Sequence, residues 1–396
     1  MAKREPSREA PIDRPDPPDR LLPADLMCAL DWLRRNPDGD VSLGALSVVA
    51  GTRPRTLEAH FKEFLGTTPL AWIRNARLAR ARRELLDAND RTTVTSVALD
   101  AGFSQLGRFA GAYRRRFGEL PSQTLRAGRR VAASAAEIDD EALRLTWRAI
   151  PEAFAVAPDS NCIALELLEQ AQQQAQQRAP EFALARAMAA WCWAQRSAQH
   201  FGSDPAEDID RARRLADRAL ALSPNDAMVL SLSAGALTLA HRVTEADRLV
   251  ERAVAIEPTS AVAWVRRGWS SAYLGDSESA LRELRMTLHL APFEPIRHLA
   301  LIGIGCAHFA AGRYERAAAW AKTGVEAFPQ SFWAERVVIA AAASSGALAE
   351  ARRRTRTLLR QDRNLTISVA RRAWPFRPDF MDRLCHGLEI AGVPRA

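Results

Sequence analysis

The sequence predicts an all-α protein in two parts, a doubled helix-turn-helix unit followed by a solenoid of stacked helix pairs. Two observations carry this. Phe61, Leu65-Gly66 and Pro69 return 52 positions later as Tyr113, Phe117-Gly118 and Pro121, and each set follows a short apolar run ending in Ala50-Gly51 or Ala101-Gly102. Further on, Pro224, Pro258 and Pro292 are spaced by 34, as are Ala212, Ala246 and Ala280; after a slip of three the period resumes from Ala317 to Ala351 and from Gly312 to Gly346.

In chain order, residues 1–20 alternate proline with charge and hold little to bury, so a disordered tail is expected. Leu26, Ala29, Leu30 and Leu33 then mark an amphipathic helix ending near Asn36-Pro37 and packing on the first unit. In that unit Ser42 can cap a helix carrying Leu43, Leu46, Val49 and Ala50; Gly51 ends it, and Pro54 opens a second helix with Leu57, Phe61, Phe64 and Leu65 at helical spacing. The second unit repeats the pattern with Val94, Val97, Ala98 and Ala101 before Gly102, then Leu106, Phe109, Tyr113 and Phe117. Glycine suits a backbone that must reverse within a few residues. The arrangement is that of motifs whose second helix lies in the major groove of DNA.

A linking helix is expected from Pro69 to about Ala88, capped by Thr67 or Thr68, with Leu70, Ile73, Leu78, Ala81 and Leu85 as its apolar stripe. About twenty residues span roughly 30 Å. That is close to the ~34 Å between successive major-groove faces on one side of a duplex, so one chain can place two reading helices a turn apart. Arg77 falls on the apolar stripe and reads as structural, whereas Arg82, Arg114 and Arg115 are phosphate candidates that a solvated charged face explains equally well.

These residues resemble the DNA-binding domain of the AraC family of bacterial transcription regulators over about residues 22–127. The best-matched stretches are Ala101-Gly102-Phe103-Ser104, Tyr113-Arg114-Arg115-Arg116-Phe117-Gly118 with Pro121, and Phe61 to Gly66 with Pro69. The resemblance implies two helix-turn-helix units joined by a rigid helix, bound to double-stranded DNA. The family pattern usually carries a base-touching arginine on each reading helix where Ala59 and Gly111 stand here. Arg53 and Arg55 in the first unit and Gln105 and Arg108 in the second lie on neighbouring turns and can substitute, since Arg and Gln pair bidentately with guanine and adenine edges. With Thr56, Glu58, Arg114 and Arg115 they form the candidate DNA-binding set.

Charge agrees with this division. Of the formal +8, residues 1–130 hold 23 Lys/Arg against 16 Asp/Glu, and residues 131–396 hold 32 against 31. The excess on the head favours phosphate backbones. The composition is globular, no apolar run is long enough to cross a bilayer, and the proline-rich start is unlike a signal peptide, so a cytoplasmic protein away from membranes is expected. Five scattered cysteines suggest buried reduced thiols and neither a disulfide framework nor a metal cluster. The expected divisions are the tail at 1–20, the head at 21–130, an Ala-rich linker at 131–136 and a repeat domain at 137–396.

In the repeat domain a 34-residue period of paired helices is the tetratricopeptide signature. Trp264, Gly268, Ala280 and Pro292 fall at that motif's offsets, while Arg267 and Ser271 replace its usual apolar residues. The period covers about 206–363, and a looser pair is expected over 160–201. Trp374-Pro375-Phe376 with Phe380, Leu384, Leu388 and Ile390 suggests a capping helix. The region resembles tetratricopeptide arrays attached to bacterial regulators, notably at His308-Phe309-Ala310-Ala311-Gly312-Arg313-Tyr314 and Gly387-Leu388-Glu389-Ile390-Ala391-Gly392, which implies an interaction or sensory surface. Trp191, Trp193, Trp264, Trp269 and Trp333 read as core rather than a ligand cage, and Gln172-Gln173-Gln174 with Gln176-Gln177 as the polar face of a helix. Arg266, Trp269 and Tyr273 are the candidates for contacting a protein or peptide partner in a groove.

No phosphate loop, metal-spaced His/Cys group or nucleophile motif is present, so neither an enzyme nor a cofactor is expected, and His241, His298 and His308 read as ordinary helix residues. The expected function is sequence-specific transcription regulation, with the array as a sensory, protein-interaction or homodimerisation module. The alternative is a repeat scaffold with a weakly specific DNA-binding head.

Overall fold

The computed structural model describes residues 23–36, 42–65, 67–86, 89, 91–135, 140–178, 182–291 and 296–395. Among the described residues the structure is helical, with no strand. The expectations placed on residues 1–20 and on Gly66, Ala88 and Pro292 lie outside them.

In the head, α1 (Ala24–Arg35) buries Leu26, Ala29 and Leu30 against α2 (Leu43–Val49) and α3 (Pro54–Leu65). His60 Nδ1 on α3 lies 2.8 Å from the Asp25 carboxylate on α1, tying those helices together. Ser42 Oγ accepts the Ala45 N–H at 3.1 Å, so α2 starts where the sequence placed its cap. Gly51 reverses the chain at φ 64°, in the left-handed region.

Thr68 Oγ1 accepts the Ala71 N–H at 3.2 Å and starts the linking helix α4 (Pro69–Leu86). Its 18 residues span about 27 Å. The buried face carries Trp72, Ile73, Leu78, Ala79, Ala81 and Leu85. Leu70, expected in the stripe, is instead 52 % exposed, and Trp72 fills the core there.

Thr93 and Ser96 cap each other's backbone at the start of α5 (Val94–Asp100), a reciprocal arrangement that satisfies two N–H groups. After Gly102, at φ 78°, α6 (Leu106–Phe117) stacks Phe109, Tyr113 and Phe117 along one side, with successive ring centroids 5.5 and 4.6 Å apart. Leu106 itself stays outside, 40 % exposed. In α7 (Pro121–Ala135), Thr124 Oγ1 receives the Tyr113 hydroxyl at 2.9 Å and donates to Glu119 Oε1 at 2.9 Å. Burial raises the Tyr113 hydroxyl pKa well above its ordinary value, so it remains a donor. α7 crosses α4 at Gly128 and stays helical through 131–135, so the chain leaves the head as helix where a linker was expected.

The array is a succession of antiparallel pairs. These are α8 (Asp140–Ala155) with α9 (Pro158–Arg178), α10 (Ala183–Ala198) with α11 (Pro205–Leu222), and α12 (Ala227–Leu239) with α13 (Val243–Ile256). They continue as α14 (Ala261–Leu274) with α15 (Ser277–Leu290), α16 (Arg297–Ala310) with α17 (Tyr314–Ala327), and α18 (Glu335–Ser344) with α19 (Leu348–Gln361). The looser pair expected over 160–201 is out of step. α9 packs mainly on α8, and α10 on α11, because α8 already covers the apolar face of α9.

The alanines of the 34-residue period mark where helices meet. Ala212, Ala246, Ala280, Ala317 and Ala351 each stand on the second helix of a pair and are fully buried. The turn inside each pair carries a left-handed residue: Gly275, Gly312 and Gly346 in the later pairs, but Val156, His200 and His241, at φ 50°, 54° and 62°, in the earlier ones. His241 is therefore a turn residue, not the helical one expected. A side chain in that region strains the backbone. His241→Gly is accordingly expected to stabilise the protein by about 1 kcal/mol, measured by denaturant unfolding; a loss of stability would show that the exposed imidazole contributes more than its backbone strain costs.

Arg267 and Ser271, the departures from the repeat motif, share a polar network. Arg267 donates to Asp247 on α13 at 2.9 Å and to Glu283 on α15 at 3.2 Å, while Ser270 and Ser271 donate to the same two carboxylates at 2.7 and 2.6 Å. The network joins three helices where apolar contact is usual, and each carboxylate receives two donors.

At the far end, α20 (Ile367–Ala373) and α21 (Pro378–Ile390) close the stack. Phe376 and Phe380 stack at 3.9 Å, Leu384 and Leu388 are fully buried against α18, and Ile390 is 40 % exposed despite its apolar character. Among the described residues no helix is long and apolar enough to cross a membrane. Cys192, Cys306 and Cys385 are buried as expected, but Cys28 and Cys162 are exposed.

Candidate nucleic-acid interface

Each helix-turn-helix unit commits one side of its second helix to the core and leaves the other bare. On α3, Leu57, Phe61 and Leu65 are buried while Arg53, Arg55, Thr56 and Glu58 are exposed at its start. On α6, Phe109, Tyr113 and Phe117 are buried while Gln105, Arg108, Arg114 and Arg115 are exposed. All eight candidates thus lie on the solvent side. Ala59 is exposed and Gly111 half-buried, so the two positions that usually carry a base-touching arginine are near the surface but bear no long side chain.

Arg82, Arg116 and Arg77 of the head have structural work. Arg82, a phosphate candidate by sequence, is 9 % exposed; it donates to the Asn225 carbonyl in the α11–α12 turn and to Glu119 at 3.4 Å, and lies 5.0 Å from the Phe117 ring centroid. It belongs to the joint between head and array. Arg116 donates to the Ile256 carbonyl at 3.1 Å across the same joint, and burial with neighbouring Arg74 lowers its pKa to about 10. Arg77 lies against the Gly102 turn, in keeping with its structural reading.

The two parts share their apolar clusters. One joins Leu26, Leu57, Phe61, Leu65, Trp72 and Ile73 of the head to Trp264 and Met286 of the array. The other joins Leu78, Leu85, Phe109, Tyr113 and Phe117 to Ala227, Leu230, Ala253, Ile256 and Ala263. The head therefore rests mainly on α13 and α15, the second helices of their pairs, and each reading unit has its core continued by array residues. No periodicity in the sequence marks this contact, because it joins residues far apart in the chain.

Arg266, Trp269 and Tyr273, expected on a groove, are instead 6, 8 and 8 % exposed. They line a cavity whose other walls come from α10, α12, α13 and α16 together with Trp333 and Trp374. No group of three or more His, Cys, Asp or Glu able to hold a metal occurs among the described residues.

Comparison with known proteins adds to this geometry. A family model described as a helix-turn-helix domain matches residues 46–127. A XylDLEGF operon transcriptional activator of Pseudomonas putida is 46 % identical over 99 residues, 24 % of this chain and 30 % of that protein. The chain spans 30 % to 62 % of the length of such Pseudomonas activators. Among solved structures, a probable AraC family transcriptional regulator from Rhodopseudomonas palustris is 36 % identical, covering 26 % of this chain and 96 % of that one, with a TM-score of 0.25. A tetratricopeptide repeat protein from Parabacteroides merdae is 13 % identical, covering 64 % of this chain and 99 % of that one, with a TM-score of 0.35.

Proposed function

From a chain whose residues 46–127 are a helix-turn-helix domain of the AraC type, we infer a sequence-specific transcription regulator that reads double-stranded DNA with α3 and α6. The observation that carries this reading is the exposure of all eight candidate residues on two helices whose opposite faces are buried. Arg53, Arg55, Gln105 and Arg108 take the base-reading role, and Arg114 and Arg115 the phosphate role. The array is assigned the reception of a signal or partner, because stacked helix pairs present a continuous surface and interior that the head lacks.

Arg108 is expected to carry the most specificity in the second unit. It precedes the buried anchor Phe109, and its neighbours Gly107 and Gly111 offer no side chain. Arg108→Ala should cost about 1–3 kcal/mol at one base position, measured by anisotropy titration on a site selected from genomic fragments. Equal losses on the selected site and on random DNA would reduce Arg108 to a phosphate contact. Wild-type binding should weaken with a logarithmic salt slope near −0.9 for each neutralised phosphate. Failure to select any preferred sequence at physiological salt would favour the scaffold reading, which Ala59 and Gly111 make chemically reasonable.

A further inference from the structure

The first helices of successive pairs, with Trp333 and Trp374 from the segments beyond, line a tight aromatic cavity of about 30 Å³ whose walls are Trp191, Trp269, Tyr273, Trp333 and Trp374 together with Arg266. Arg266 is 6 % exposed and lies face-on over Trp191, its guanidinium carbon 3.5 Å from the ring centroid. Gly235 makes that approach possible: a Cβ there would lie 2.8 Å from the Trp191 ring and 3.2 Å from Arg266 Nε. A cation–π contact of this kind leaves the N–H edge of the guanidinium unspent.

That edge has no partner. Arg266 Nε and Nη2 are both buried without a hydrogen bond. These two atoms form the side of the guanidinium that meets a carboxylate through two parallel N–H···O bonds. Three further buried polar atoms on residues lining the same cavity are also unmatched, namely Trp333 Nε1, Gln195 Oε1 and Gln199 Oε1. By contrast Trp191 Nε1 donates to the Ala153 carbonyl at 3.0 Å and Trp269 Nε1 to the Leu299 carbonyl at 3.1 Å, so the aromatic walls themselves are fixed. A buried charge with unmade hydrogen bonds costs stability, and protein interiors normally pair such groups. Burial lowers the Arg266 pKa to about 9, which leaves it cationic at neutral pH.

We propose that this cavity is a receptor site for a small planar organic carboxylate, held by the Arg266 edge and sandwiched among the tryptophans, with Trp333 Nε1 and the Gln195 and Gln199 amides meeting polar groups on its rim. The charge calls for an anion. The unmatched Nε and Nη2 select a carboxylate geometry, and the indole walls select a flat, apolar body. The cavity is tight as it stands, so the ligand is at most a single ring and enters only as the surrounding side chains shift outward. The proposal deepens the sensory reading of the array and does not depend on what the head binds.

The test uses the full-length protein and no DNA. Thermal unfolding and calorimetry are run with benzoate as probe, and with its neutral analogue benzamide, at concentrations up to about 10 mM. Benzoate should raise the unfolding midpoint and benzamide should not. In Arg266→Met the benzoate shift should vanish while the unliganded variant unfolds at the same or a higher temperature, because an apolar side chain of similar length replaces a buried cation with unmade bonds. Trp333→Phe, which keeps the wall and removes the donor, should weaken benzoate roughly threefold to tenfold. Equal shifts from benzoate and benzamide, an undiminished benzoate shift in Arg266→Met, or no shift at all in the wild type would overturn the proposal. So would an unliganded Arg266→Met of lower stability, which would make Arg266 a structural partner of Trp191.

Discussion

Replacing Gly128 by alanine is expected to destabilise the head by about 3 kcal/mol or more. A Cβ at this position of α7 would lie 2.2 Å from the Leu85 carbonyl oxygen, 2.7 Å from that of Leu86 and 2.9 Å from the Leu86 Cα. All three are backbone atoms of α4, which cannot swing aside as a side chain can. The two helices must separate by more than an ångström, and the buried set Leu78, Leu85, Tyr113 and Phe117 loosens with them. Because α4 also fixes the relative placement of α3 and α6, DNA affinity should fall together with stability. Denaturant unfolding of the full chain, followed by titration on DNA, reads both effects. A variant within about 0.5 kcal/mol of wild type would mean that α4 and α7 do not cross this closely in solution.

The second large effect is expected at Trp264. Its indole is 5 % exposed, donates from Nε1 to the Pro258 carbonyl at 2.7 Å, and belongs to the cluster of Leu26, Phe61 and Trp72. Trp264→Ala should cost about 3–5 kcal/mol. The notable point is where the loss is felt. The residue lies on an array helix yet completes a head core, so the head should unfold earlier even though none of its own residues has changed. Hydrogen exchange in α3 and α4 provides the readout; a loss of protection confined to α14 and its array neighbours would show that the head does not depend on this contact. For the same reason an isolated head is expected to be less stable than the head within the full chain, since Trp264, Met286, Leu230 and Ile256 complete its two clusters.

How legible each part was in the sequence follows from the range of the forces that set it. The doubled unit was readable because glycine turns, proline starts and aromatic anchors are local devices, and Gly51, Gly102 and Gly118 all take the left-handed backbone their type allows. The array was readable through its buried alanines, whose spacing is that of the helix pairs. What escaped was decided at long range. Leu70 fits the linking helix's periodicity as well as Ile73 does, but Trp72 fills the head cluster shared with Trp264 and Met286, and Leu70 remains outside. Arg82 resembles a phosphate contact until Asn225, 143 positions on, is seen to accept from it. The first pairs, α8 with α9 and α10 with α11, are not marked in the sequence because α8 carries no motif of the later repeats. Trp191, Trp264, Trp269 and Trp333 are buried as their helical spacing predicts, while Trp193 is half-buried, and the Arg266 edge with its unmatched neighbours meets the tryptophans only through the packing of separate helix pairs.

The two exposed thiols have a practical consequence. Cys28 lies on α1 of the head and Cys162 on α9 of the array, whereas Cys192, Cys306 and Cys385 are buried. Burial pushes the Cys192 thiol up to about 12 and raises Cys306 and Cys385 as well, so none of these three offers a ready thiolate. The natural sequence is therefore already furnished for two-colour maleimide labelling, one dye on each lobe, without a single substitution. Energy transfer between the dyes then reads whether the head stays seated on α13 and α15 when DNA, or a carboxylate on Arg266, is added.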